Sequence, residues 1–204
     1  MDILFDTCIQ FVSSVFGSIS KPYESMRGVV KRSRLLELVP MFCFVLLYVG
    51  VASIVKIQEF RPFFLTGQFI TLVFWIALSF GLSVLILWCM GKNIGGRGTL
   101  QSFAVSWGYT LVPTLVWFFV TSLLYVLLPP PRTSGFLGIG FSLVYLCFSA
   151  AVFLWKGTLV YLSLRFGMRL TLPKIFLVLT VFLPVMSIYS VLMYQFGIFR
   201  VPFL

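Results

Sequence analysis

Residues 63–90 read FFLTGQFITLVFWIALSFGLSVLILWCM, and residues 91–98 that follow read GKNIGGRG. The first stretch has no charged side chain. It is longer than the roughly 20 apolar residues that cross about 30 Å of hydrocarbon, so it spans with length to spare for tilt. The second stretch, with Gly91, Gly95, Gly96 and Gly98 around Lys92, Asn93 and Arg97, is the clearest loop in the chain. A membrane-crossing helix delivered into a basic, glycine-rich turn decides the fold class: an all-α integral membrane bundle.

Outward from that helix, apolar runs recur at about 35–55, 103–128, 136–155 and 175–199, which predicts five transmembrane helices in all. A polar break over 56–62 separates the first two spans, and Pro129, Pro130 and Pro131 stop the third. The composition agrees, since only 10% of the 204 residues are charged against 60% hydrophobic, where soluble domains carry about 25% charged. The chain therefore divides into an N-terminal segment, 1–34, and a membrane domain, 35–204.

The N-terminal segment is too polar for a signal sequence: it opens with Asp2 and Asp6 and has no basic start. Phe5, Ile9, Val12, Phe16 and Ile19 recur at spacings of three and four, with Asp2, Asp6, Gln10, Ser13 and Ser14 on the other side, which predicts an amphipathic helix lying on the membrane or against the bundle. Ser20-Lys21-Pro22 breaks it, because a residue before proline is pushed out of the helical region. Arg27, Lys31, Arg32 and Arg34 then lead into the first span.

With the N-terminus cytoplasmic, five spans put Lys21, Arg27, Lys31, Arg32, Arg34, Lys92, Arg97, Lys156, Arg165, Arg169 and Lys174 inside, and only Lys56, Arg61, Arg132 and Arg200 outside. That eleven-to-four bias predicts N-terminus in and C-terminus out. The net charge of +10 thus reads as topology and attraction to anionic headgroups, not as nucleic-acid binding.

The residue inventory excludes much chemistry. Histidine is absent, and the five carboxylates, Asp2, Asp6, Glu24, Glu37 and Glu59, all precede Arg61. Histidine triads, imidazole metal sites and intramembrane acidic proton relays have no material, and Ser106 has no base within the membrane. No catalytic, cofactor or metal residues are expected. Cys8, Cys43, Cys89 and Cys147 form no CxxC pair and read as free thiols, apolar fillers before acylation sites. Lys156 interrupts the fourth run but, beside Trp155, reads as an interfacial anchor on a helix that continues through Leu162 and ends at Gly167. Pro40, Pro113 and Pro184 fall inside spans and are expected to shape them. Ala77, Gly81, Ser83, Ser149, Ala150 and Ala151 suit close helix contacts or a homo-oligomer. Thr99 reads as a helix cap, while Lys92, Arg97, Lys31, Arg32 and Arg34 are the candidate contacts to headgroups or to a protein partner.

Gly95-Gly96-Arg97-Gly98, followed by Gly108-Tyr109-Thr110-Leu111-Val112-Pro113, resembles the Yip membrane-protein family, named for interaction with Ypt/Rab GTPases. In that family a glycine-rich cytoplasmic loop leads into a span with a Gly-Tyr element and a proline about four residues on. The basic lead-in after Lys21-Pro22 and the stretch from Trp155 to Lys174 look like prokaryotic-type members. The longer N-terminal region of eukaryotic members, with its Asp-Leu-Tyr-Gly-Pro element, has no counterpart here. The resemblance implies a non-enzymatic scaffold or adaptor that organises membrane, in a bacterial inner membrane for a prokaryotic chain or in Golgi or endoplasmic reticulum for a eukaryotic one. The other class compatible with the scattered Ser, Thr and Pro is a small transporter for a lipid or neutral hydrophobic solute.

Overall fold

The computed structural model describes residues 2–56, 62–127 and 136–196. The 57–61 loop with Glu59 and Arg61, the Pro129–Pro131 stop with Arg132, and 197–204 with Arg200 lie outside the described residues. Among those described, every regular element is helical: α1 (Asp2–Ser20), α2 (Pro22–Arg32), a short 3-10 turn (Leu35–Glu37), α3 (Leu38–Lys56), α4 (Pro62–Asn93), α5 (Leu100–Tyr109), α6 (Leu111–Leu127), α7 (Phe136–Leu162), a wide π-type turn (Ser163–Gly167) and α8 (Leu172–Gln195). Among the described residues, four stretches are long and apolar enough to cross a membrane: Phe69–Asn93, Leu100–Leu124, Gly138–Gly167 and Leu172–Gln195. The first apolar run is a further helix, α3, whose described apolar part, Leu35–Val51, is shorter.

Local chemistry sets the ends. Lys21 leaves helical geometry before Pro22, which opens α2 at a position where proline's missing N–H is no loss. Thr99 caps α5 as expected, its hydroxyl accepting from the Ser102 N–H at 3.2 Å. α4 runs on through Gly91 to Asn93, three residues past the expected end, with Lys92 in the last turn where a cation favours the helix dipole. The three span prolines act differently. Pro40 sits in the first turn of α3, where it removes no helical hydrogen bond, whereas Pro184 lies inside α8. Pro113 has no N–H for the Tyr109 carbonyl, and the third span breaks there into α5 and α6, with the Thr110 N–H turning back to the Trp107 carbonyl at 3.0 Å.

α5 is the central element, with seven of its ten residues buried. Val105 and Tyr109 join one core with Phe11, Met26, Val29, Met41, Val45 and Leu159, while Phe103 and Trp107 join a second with Val84, Leu87, Leu164, Met168 and Phe182. Stacking of Tyr48 on Phe118 and of Phe44 on Phe119 holds α3 to α6, and Trp117 donates to Ser149 at 3.0 Å to hold α6 to α7. The outward faces are apolar too: Phe74, Leu85, Val144, Leu146, Phe153, Ile188 and Val191 are all exposed. Such a surface belongs in hydrocarbon, where packing and interhelical hydrogen bonds, not hydrophobic burial, drive association. Of the small residues expected at contacts, Ser83 and Ser149 pack inward. Ala77, Gly81, Ala150 and Ala151 instead lie on the outer surface.

Candidate functional site

Three features stand out among the described residues, beginning at the glycine-rich loop. The first is the loop itself. Gly95 has a φ of +89°, in the left-handed region that L side chains avoid. Gly98 passes so close to the π-type turn that a Cβ there would overlap the Gly167 carbonyl, and one on Gly96 would lie 2.7 Å from the Gly91 oxygen. The loop amides are committed: Gly95 donates to Lys92 O (2.9 Å), Gly96 to Gly91 O (2.8 Å) and Arg97 to Met168 O (3.1 Å). Lys174 Nζ closes the assembly by donating to Ile94 O at 2.7 Å. Those three amides are not available to an anion, which would also meet side chains there. Lys92, stacked over Trp88, and Arg97 are both exposed there. Beneath the loop, Ser106 is fully buried and shares its hydroxyl with Ser163 (3.0 Å) and the Phe103 carbonyl (3.0 Å), so its environment is that of a packing residue.

The second feature is a buried ion network that the sequence reading missed. Glu37, 1% exposed, accepts from Arg32 Nε at 3.2 Å and from the Tyr109 hydroxyl at 2.9 Å. Arg32 also donates to Ser14 Oγ at 2.7 Å, and Ser25 donates to the Ser14 carbonyl at 2.8 Å. One carboxylate thus ties α1, α2 and the start of α3 to α5. Gly108 permits this approach, because a Cβ there would come within 2.8 Å of Leu38. The candidate basic contacts Lys31, Arg32 and Arg34 are all exposed alongside Arg27, and Arg32 is in addition hydrogen-bonded to Glu37 and Ser14. A signal was present: Glu37 is a carboxylate set between Leu36 and Leu38 at the head of an apolar run.

The network orients α1. Its inner seam is Thr7, Phe11, Ser14 and Ser18, all buried, and Trp155 Nε1 donates to the Ser18 carbonyl at 3.0 Å. The predicted apolar stripe, Phe5, Ile9, Val12, Phe16 and Ile19, points away from the bundle with every member at least half exposed. The polar side is split, Ser14 facing the protein while Asp6 and Ser13 stay exposed.

The third feature is a cavity of about 450 Å³ among α3 to α8. Lys156, next to Trp155, lies in its wall with Ser79, Ser83, Thr110 and Thr114. It is eleven residues, roughly 16 Å of helix, from Gly167. The expected surface anchor is therefore turned between helices. All four cysteines are exposed free thiols, and no group of metal-ligating side chains occurs among the described residues.

No family model matches the sequence, and no curated protein or solved structure matches it.

Proposed function

We propose that this chain is a non-enzymatic, Yip-like, five-span membrane-organising scaffold with its N-terminus and glycine-rich loop on the cytoplasmic side. The observation that carries the reading is the clamped amphipathic helix. α1 is fixed by its seam of Thr7, Phe11, Ser14 and Ser18 and holds five large apolar side chains outward. A helix so held inserts shallowly into one leaflet, and a rigid bundle that wedges one leaflet favours membrane curved toward that side. The exposed Lys31, Arg34, Lys92 and Arg97 lie at the ends assigned to the inner face and give anionic headgroups a place to bind. The basic residues other than Lys156, ten against four, support the orientation, and the absence of histidine and of late carboxylates supports a role without catalysis.

The test is reconstitution into liposomes containing anionic lipid, from which narrow membrane tubes are drawn. The scaffold reading predicts enrichment of the protein on the tubes, reduced when Phe5, Ile9, Val12 and Phe16 are changed together to serine. Equal density on tube and flat membrane, or protein-dependent solute flux across the liposomes, would count against it.

A further inference from the structure

Among the described residues α7 and α8 barely touch, and the cavity of about 450 Å³ lies behind the gap between them. Phe153 on α7 and Leu183 on α8 line it and are at the same time 75% and 50% exposed on the outer surface, so the cavity opens sideways. Phe153 lies at the middle of the Gly138–Gly167 span and Leu183 at the middle of Leu172–Gln195. The opening is therefore at mid-bilayer depth, about 15 Å of hydrocarbon from either headgroup layer, where acyl chains are the available neighbours.

The wall decides what fills the space, and it is almost entirely apolar, with Val45, Ile76, Phe80, Leu115, Leu179 and Met186 prominent in it. The few polar groups are already committed. Ser79 bonds Tyr189 and the Trp75 carbonyl, Ser83 bonds the Ser79 carbonyl, and Thr110 bonds the Trp107 carbonyl. The Thr114 oxygen has essentially no accessible surface and is not presented to the space, and Lys156 already interacts within the protein. A buried water needs about two to four polar partners, which this wall does not offer. Left empty, the space would deprive its lining side chains of dispersion contacts on one side. An apolar occupant supplies those contacts and asks for no hydrogen bond in return.

We propose that the cavity holds one acyl chain of a bilayer lipid, inserted sideways between α7 and α8 and selected by its hydrocarbon, not by its headgroup. The chain passes between Phe153 and Leu183 and lies against Trp107 and Phe182, which line the space. The volume sits at the small end of the roughly 300–1,000 Å³ typical of ligand pockets, which suits one chain and not two. The headgroup stays outside the bundle, since the opening is at mid-bilayer depth. No residue of α1 lines the cavity, so the site stands or falls separately from the scaffold reading.

The experiment uses the full chain reconstituted in phosphatidylcholine with brominated acyl chains, because bromine quenches tryptophan emission only at short range. Trp107 lines the cavity and is 9% exposed, so it reports a chain inside the bundle. A variant with Trp75, Trp88, Trp117 and Trp155 changed to phenylalanine keeps Trp107 alone, and it should lose most of its emission in brominated relative to unbrominated lipid. Should that variant fail to fold, Trp107→Phe in the otherwise native chain reads the same contact, since it should remove a strongly quenched component. Brominated phosphatidylglycerol should quench as strongly as brominated phosphatidylcholine. Gly157→Phe and Val160→Phe each add a ring to the cavity wall from α7 and should largely restore the emission; at Gly157 a Cβ meets nothing within 4 Å, so the ring enters without a backbone clash. Unquenched Trp107, quenching unchanged in both folded ring variants, or quenching by the anionic lipid alone would overturn the proposal.

Discussion

Replacing Tyr109 with phenylalanine deletes one hydroxyl and leaves the ring that packs on Phe11 in place. That hydroxyl donates to Glu37 Oε2 at 2.9 Å, and Glu37 is 1% exposed, so water does not easily replace the lost donor. A hydrogen bond to a buried charged group contributes about 1.5–3 kcal/mol, whereas neutral interhelical hydrogen bonds in membrane proteins average about 0.6 kcal/mol. Tyr109→Phe should therefore destabilise the fold by about 2 kcal/mol, a factor of roughly 30 in the folded-to-unfolded ratio. Ser149→Ala, which removes the neutral acceptor of the Trp117 indole, should lose only about 0.6 kcal/mol. Unfolding in mixed dodecyl maltoside and SDS micelles, followed by circular dichroism, measures both. Combining Tyr109→Phe with Glu37→Gln should lose less than the sum of the two, because they remove the same contact. Equal, small effects for Tyr109→Phe and Ser149→Ala, with strict additivity in the double variant, would refute the idea that a buried carboxylate locks the N-terminal layer to the bundle.

Other substitutions probe separate links. Gly98→Ala forces a methyl into the Gly167 carbonyl and should destabilise by about 2 kcal/mol or more in the same micelle assay. Gly81→Ala, with nothing within 4 Å of the new Cβ, should be neutral or stabilising by up to about 1 kcal/mol. Arg32→Gln releases both Glu37 and Ser14 and should speed trypsin cleavage at Lys31 and Arg34 severalfold, while Arg27→Gln, on an exposed arginine, should leave the rate at the remaining sites unchanged.

The spans were legible because hydrocarbon imposes a length and a composition that no tertiary detail overrides: 63–90 and 136–155 needed only their runs of apolar residues. The Thr99 cap, the break at Ser20-Lys21-Pro22 and the extension of the fourth helix to Gly167 were local signals of the same kind. What pairs across the chain was not legible. Glu37 and Tyr109 are separated by 72 positions, and nothing in the neighbourhood of either names the other. The direction of Lys156 is not legible in the sequence because Trp155 beside it carries an interfacial signal, and adjacent helical residues point about 100° apart, one to α1 and the other to the cavity. The stripe on α1 is legible in its spacing of three and four, while the division of its polar side depends on Arg32 capturing Ser14. The glycines of the loop were visible as a motif, but their reason, close passage over Gly91 and Gly167, is tertiary.

The account depends most on α1 lying with its apolar stripe in lipid while anchored to the bundle. Nitroxide labels placed singly on cysteine at Ile9, Val12, Phe16 and Ser14, in a background lacking the four native cysteines and reconstituted in bilayers, test this through collision with oxygen and with a water-soluble nickel chelate. The account predicts that positions 9, 12 and 16 are accessible to oxygen and shielded from nickel, and that position 14 is shielded from both. Nickel accessibility at 9, 12 and 16 equal to that of a label at Arg97 would place the stripe in water and contradict it.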